Sequence, residues 1–299
     1  MSITFACVLI APFLYAVANL VDKMQLHGDE DDSSPLALMA LGSVIGFCFI
    51  IPLGLFVFFT GRSLGEPHQI IAILGNELTY NVAIFIYMWV LKRHETSDII
   101  PWFQSVPMFG LVGAFLVIGE KLGPSSIAAI ILVMVGGFVL SYHKQGFRKK
   151  LFGLMMLCSA VFAGYEVIFA EFGRDIDPYS AIFLTVAGKT LWSLPILIGK
   201  KERAGFMLGL KTRLKFQTVG ELTNLFADIT MCVCLLHFPV ALVQGACCTQ
   251  PFFILIGAIV LTKFCPWQKA VCEDITGVTI ARKAIGITLL VIGGILMAI

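Results

Sequence analysis

Charge is what this sequence has least of. Only 13% of its 299 residues are Asp, Glu, Lys or Arg, against 58% hydrophobic, and its mean hydropathy is +0.92. Soluble domains carry about 25% charged residues, so a soluble globular fold is excluded. With 21 basic and 19 acidic residues the net charge is only +2, which leaves no electrostatic footprint for nucleic acid. Catalytic signatures are also missing. The chain has no His-Glu-x2-His, no Ser/His/Asp set at a common depth and no Gly-x4-Gly-Lys-Ser/Thr stretch, so neither a membrane enzyme nor a P-loop nucleotide engine is expected. Nine cysteines make no disulfide scaffold, because Cys7, Cys48, Cys158, Cys232, Cys234, Cys247 and Cys248 lie in apolar runs and act as small hydrophobes. Cys232 and Cys234 are too close on a helix to aim both thiols at one metal, and Cys265 and Cys272 share a loop that lacks a histidine partner. No metal and no other cofactor is expected.

What is abundant is the long apolar run. About 20 such residues at 1.5 Å rise cross a bilayer core, and ten runs meet that length: roughly 3–22, 35–60, 68–91, 99–118, 123–142, 151–172, 178–199, 214–236, 240–261 and 283–299. Backbone groups in lipid must bond internally, and these runs are too long for barrel strands, so they read as helices. The fold class is therefore an all-α integral membrane protein with ten transmembrane helices. The longest connections are 200–213 and 263–282.

The ten runs form two related halves. Glu77-Leu78-Thr79 returns 144 residues later as Glu221-Leu222-Thr223, and the ungapped overlay of 77–118 on 221–262 has 10 identities in 42 positions. Roughly three are expected by chance in so apolar a sequence. Pro35 and Pro52 match Pro178 and Pro195 at an offset of 143. The halves are residues 1–147 and 148–299. Five crossings each is an odd number, so the second half enters from the opposite face, giving two inverted five-helix repeats.

Lys and Arg are unequally shared between the two sides. The loops after the first, third, fifth, seventh and ninth spans hold 17, whereas the alternate loops hold 3: Arg62, Lys121 and Arg174. The positive-inside rule then puts both termini on the non-cytoplasmic side. The first span is not read as a cleaved leader, since no basic residue precedes it and Lys23 follows it. Gly42-x3-Gly46, Gly110, Gly113, Gly136-Gly137 and Gly293-Gly294 are read as close-packing positions within one chain, with a monomer or weak homodimer as the expected state. Pro107 and Pro251, paired by the repeat, are expected to kink their spans.

Ionisable residues inside spans are expensive and mark function by default. Five qualify: Glu77, Glu166, Lys189, Glu221 and Asp228. Lys189 is near mid-span and needs a partner. From the shared side, at 1.5 Å per residue, it lies about 17 Å deep, Asp228 about 13 Å, Glu166 about 10 Å and Glu221 about 24 Å, so Asp228 is the best match. Glu221, Asn224 and Asp228 share one helical face at i, i+3, i+7, and the repeat mate presents Glu77, Tyr80 and Asn81. Tyr15, Asn19 and Asp22 form a third stripe. Gln104, Ser105, Gln244, Thr249 and Gln250 add donors and acceptors. Trp89 and Trp102 are read as interface-belt aromatics, and His94, His143 and His237 as solvated span ends. Two readings of the polar set stand side by side: a solute cavity, or buried pairs and hydrogen-bond glue that only fix packing. Buried carboxyl groups in a bilayer make proton coupling physically available.

Certain stretches resemble a known family: Asn19-Leu-Val-Asp22-Lys23, Gly119-Glu120-Lys121-Leu122-Gly123, Pro239-Val-Ala-Leu-Val243 and Thr249-Gln250-Pro251. With the 5+5 plan they resemble the drug/metabolite transporter superfamily, in its EamA-type branch. The resemblance implies a bacterial inner-membrane location and a central cavity lined by the first, third and fourth helices of each half. It also implies alternating access by rocking of the halves. The turn Gly119-Glu120-Lys121 has no equivalent after the ninth span, and relatives are drawn with cytoplasmic termini, opposite to the Lys/Arg count. The functional expectation is a secondary transporter of a small polar, amino-acid-like or amine-bearing metabolite, coupled to protons. The expected substrate-binding residues are Tyr15, Asn19, Glu77, Tyr80, Asn81, Gln104, Glu166, Glu221, Asn224 and Gln250, with Lys189, Asp228 and Glu221 as ion or proton sites. The rivals are a flippase for an amphipathic or lipid-linked substrate and a non-transporting scaffold.

Overall fold

A computed structural model describes residues 2–26, 34–93, 99, 102–103, 105–121, 123–141, 149–264 and 277–297. Among these residues there are helices and turns and no strand. The helices are α1 (Ser2–Leu26), α2 (Pro35–Phe59), α3 (Pro67–Leu91), α4 (Val106–Gly113, continued by a π turn over Ala114–Ile118), α5 (Pro124–Ser141) and α6 (Lys149–Gly173). They continue with α7 (Pro178–Ser193, continued as a 3-10 turn over Leu194–Ile198), α8 (Lys200–Thr212), α9 (Leu214–His237), α10 (Val240–Cys247), α11 (Gln250–Phe264) and α12 (Gly277–Met297), so that α6 is the first helix after residue 147. Among the described residues six stretches are long and apolar enough to cross a membrane: Pro35–Phe59, Pro67–Leu91, Lys150–Gly173, Pro178–Ile198, Leu214–His237 and Val240–Phe264. Shorter apolar helices cover Val106–Ile118, Pro124–Gly136 and Ala284–Leu296.

Proline sets many of the starts. It opens α2, α3 and α7, where its missing N–H would have no helical partner anyway. Glu66 and Gln69 close a capping box at α3, and Asp177 caps α7 by accepting from Ser180 N at 3.3 Å. Arg62 reaches Asp177 at 2.6 Å, tying the end of α2 to the start of α7. At the end of α4 the chain turns through Gly119 at φ +79°, a left-handed conformation that suits glycine. That turn presents Glu120 to the start of α10, where it accepts from Val240 N at 3.1 Å and Ala241 N at 3.5 Å. Arg174 completes the clamp, donating to Glu120 and to the carbonyls of Leu235 and Phe238 at the end of α9.

Packing runs mainly between the halves. Helix α3 lies on α6 and α7, and α9 lies on α1 and α2; α4 meets α6 and α10, α1 meets α11, and α5 meets α12. Backbones approach closely where glycine permits. A Cβ at Gly136 would stand 2.9 Å from Gly286 O, and one at Gly293 would stand 3.1 Å from Ala129 O. One apolar cluster gathers round Ile73, Phe169, Leu235 and Val243, and another round Leu38, Leu91 and Met155. Phe58, Phe59, Ile71, Leu116 and Ile198 face outward, as lipid-facing side chains do.

Several elements depart from the sequence reading. The connection 200–213 is the helix α8, whose Gly205 and Gly209 seat it against Ala37 and Leu41 of α2. The span 240–261 is broken rather than kinked. Pro251 has no N–H for the carbonyl four residues back, and α10 ends at that residue, Cys247, before α11 resumes at Gln250. In the first half α4 likewise starts at Val106, beside Pro107, after a turn at Ser105. Lys23, counted among the loop cations, is inside α1 and buried. His94, His143, Cys265 and Cys272 lie outside the described residues.

Candidate functional site

A central cavity of about 150 Å³ opens where the polar faces of these helices converge. Helix α1 supplies Tyr15, Asn19 and Asp22, and α9 supplies Gln217, Glu221, Asn224 and Asp228, one residue per helical turn along a single stripe. Helix α3 contributes Tyr80, Asn81 and Tyr87, and α6 contributes Tyr165 and Glu166. Lys189 comes from α7, and Gln244 and Gln250 come from either side of the α10–α11 break. Leu38, Met39, Gly42 and Ser43 of α2 complete the wall. The second helix of each half therefore lines the cavity too, beyond the first, third and fourth helices implied by the family resemblance.

The electrostatic centre is Lys189 with Asp228. Lys189 Nζ lies 2.5 Å from Asp228 Oδ2, and the Tyr15 hydroxyl donates to Asp228 Oδ1 at 2.7 Å, so both carboxylate oxygens are engaged. The ammonium also stands 3.7 Å from the centre of the Tyr80 ring, whose negative face favours a cation. Only 9% and 12% of the two side chains are exposed, so the pair is held out of water. The backbone beneath Lys189 is pinned to α3 by Asn81 Nδ2, which donates to Lys189 O at 3.1 Å. One turn on, Trp192 Nε1 donates to Leu74 O at 2.7 Å across the same α3–α7 seam.

Around this centre the other polar groups are held by glycine-made space. Glu221 rests against α2 where Gly42 and Gly46 have no side chains: a Cβ there would stand 2.6 Å from Glu221 Oε2 and 2.9 Å from Oε1, respectively. These two glycines, read from the sequence as a helix-packing motif, seat a carboxyl group instead. Gln244 donates to Glu166 Oε2, and Gly110 of α4 leaves the room that Gln244 fills. Asn19 Oδ1 accepts from the Tyr87 hydroxyl at 3.2 Å. Gln217 Nε2 donates to Leu38 O at 3.4 Å, while its Oε1 is buried without a partner.

Of the candidate residues, Tyr15, Asn19, Tyr80, Asn81, Glu166, Lys189, Glu221, Asn224, Asp228 and Gln250 all border the cavity. Glu77 does not. It is fully buried behind the wall, against Gly188 of α7, where a Cβ would stand 2.7 Å from Glu77 Cγ. Gln104 lies outside the described residues. Gln217, Gln244 and Asp22 also border the cavity, beyond the binding residues expected from the sequence, and Gln217 is legible there as the i−4 extension of the Glu221 stripe. Trp89 stacks under Arg93 at 3.8 Å. Among the described residues no group of three or more His, Cys, Asp or Glu is placed to hold a metal ion.

Residues 2–142 match the model of the EamA-like transporter family. The resemblance to the drug/metabolite transporter superfamily rests on this match in the first half, which contains α1 to α5. A solved crystal structure shares the whole fold: it aligns over 99% of this chain and 96% of its own, with a TM-score of 0.67 at 17% identity. At that identity the likeness speaks for the fold alone. No curated protein matches the chain in sequence. The apolar helices, with this match, support an integral multi-pass membrane protein.

Proposed function

We propose that the chain is a secondary transporter that moves a small, polar, amine-bearing metabolite across a membrane by alternating access, in exchange with protons. The observation that carries this reading is the Lys189–Asp228 pair on the wall of a cavity between the two halves. A solute ammonium has the same charge and donors as Lys189 and can take its place on Asp228. Asn19, Asn224 and Gln250 then offer hydrogen bonds to the rest of the solute, and the Tyr80 face offers a second cation surface.

The transport cycle we infer uses ten crossings in two inverted five-helix halves, with α10 and α11 as one broken span and α8 lying outside the count. Matched pairings support it: α3 packs on α6 and α7 as α9 packs on α1 and α2, so each third helix sits on the first two helices of the other half. Matched seats support it too, since the repeat mates Glu221 and Glu77 both rest on glycine in the other half's second helix. Rocking of one half against the other would expose the cavity to each side in turn. Location in a bacterial inner membrane, non-cytoplasmic termini and a working unit that is a monomer or weak homodimer belong to the same proposal. The test is uptake of a labelled panel of amine-bearing and neutral solutes into proteoliposomes. Accumulation of an amine-bearing solute by wild type, lost in Asp228→Asn, supports it. Neutral solutes carried equally well by both proteins would overturn it.

A further inference from the structure

Glu77 has no place in the cavity, and its surroundings ask for another role. Its surface is 0% exposed, and neither carboxyl oxygen makes a hydrogen bond. Lys189 faces it from α7, Asp228 and Cys232 from α9, Tyr165 from α6 and Tyr80 from its own helix. The Tyr165 hydroxyl stands within interaction range without completing a hydrogen bond of good geometry. The seat exists because position 188 is glycine: a methyl there would be 2.7 Å from Glu77 Cγ and 3.4 Å from Leu74 Cα.

Lys189 brings one positive charge, while Asp228 and Glu77 bring two groups able to be negative, and in this arrangement the ammonium is bonded to Asp228. An ionised carboxyl that no protein donor meets is far costlier to bury than the neutral acid. Asp228 and Glu77 face the same lysine. Together they balance Lys189 when they hold one proton between them.

We propose that Glu77 is a proton-binding site that competes with Asp228 for Lys189. While Lys189 is on Asp228, Glu77 holds the proton. When a cationic solute occupies Asp228, Lys189 turns to Glu77; the Glu77 O–H bond breaks, and the proton passes through the hydroxyl of Tyr165 or Tyr80, both on the cavity wall, to cavity water. The lysine N–H···O contact moves from one acid to the other, and no group is oxidised or reduced. One cation bound is matched by one proton released. This rests on the reading of Asp228 as the solute site, but the proton on Glu77 does not depend on any solute.

The experiment is infrared spectroscopy of the purified protein in membranes at neutral pH, reading the carbonyl stretch of protonated carboxyl groups. Glu77→Gln is nearly isosteric and should lose one such band. Asp228→Asn imitates displacement of Lys189, so it should lose the same band although Glu77 is still present. Fluorescence of Trp192, bonded across the seam to Leu74, reports whether the variants keep the fold. Spectra of wild type and Glu77→Gln that coincide in this region would overturn the proton site. A band that survives in folded Asp228→Asn would overturn the exchange. Solute uptake without this band would sink the proposal and leave transport standing, whereas the band without uptake would do the reverse.

Discussion

Lys189 and Asp228, 39 positions apart in the chain, meet at 2.5 Å across the seam between α7 and α9. Both are nearly buried, and the remaining oxygen of Asp228 is taken by Tyr15. A pair of this kind stabilises little on its own account but punishes removal of one partner.

The first prediction concerns that asymmetry. Lys189→Met alone should lower stability by about 3–5 kcal/mol, because it leaves the buried Asp228 charge without its cation, whereas Asp228→Leu alone should cost less, because Lys189 can turn to Glu77. The double variant should return close to wild-type stability and yet carry no solute. Thermal unfolding in detergent together with uptake assays would check both halves of the statement. A double variant that still transports would reduce the pair to a structural tie.

The second concerns the glycine seats. Gly42→Ala and Gly46→Ala should fold, because the added methyl meets only the ends of flexible side chains, Glu221 at both positions and Gln217 as well at position 42, and both should impair transport by displacing Glu221. Gly294→Ala should instead lose stability, since its methyl would run into the backbone carbonyl of Gly245, which cannot step aside. Gly75→Ala meets nothing within 4 Å and should be neutral, or stabilising by about 0.5–1 kcal/mol as for Gly→Ala in a helix interior. Expression, melting temperature and uptake of the four variants would separate these outcomes.

How far the sequence reached can be judged on the same residues. Depth counted at 1.5 Å per residue paired Lys189 with Asp228 correctly, because α7 is α-helical from its start to Lys189 and α9 is one uninterrupted helix, so depth along each axis follows residue number. Stripe periodicity brought Glu221, Asn224 and Asp228 to one wall for the same reason. Glu77 was placed by analogy with Glu221, and the analogy holds for its glycine seat but not for access to the cavity, which depends on tertiary packing of α3 against α7. The break at Cys248–Thr249 was only half legible. Pro251 announces a disturbance, yet Pro12 and Pro52 sit inside continuous helices, so proline alone does not separate a kink from a break. Helix α8 leaves no apolar run in the sequence because it is short and polar.

A third prediction tests the clamp at the helix ends. Arg174→Ala removes donors from the carbonyls of Leu235 and Phe238 and a partner from Glu120, which caps α10. A loss of about 1–3 kcal/mol is expected from carbonyls left without partners. Glu120→Gln keeps an acceptor for Val240 N and should cost less. Paired melting curves would check the order, and a larger loss in Glu120→Gln would contradict it.

The measurement that bears most directly on the whole account is accumulation of the carried amine in proteoliposomes with and without an imposed pH gradient, for wild type, Glu77→Gln and Asp228→Asn. The account predicts gradient-driven accumulation in wild type, equilibration without gradient response in Glu77→Gln, and no traffic in Asp228→Asn. Equal, gradient-independent traffic in all three proteins would contradict it.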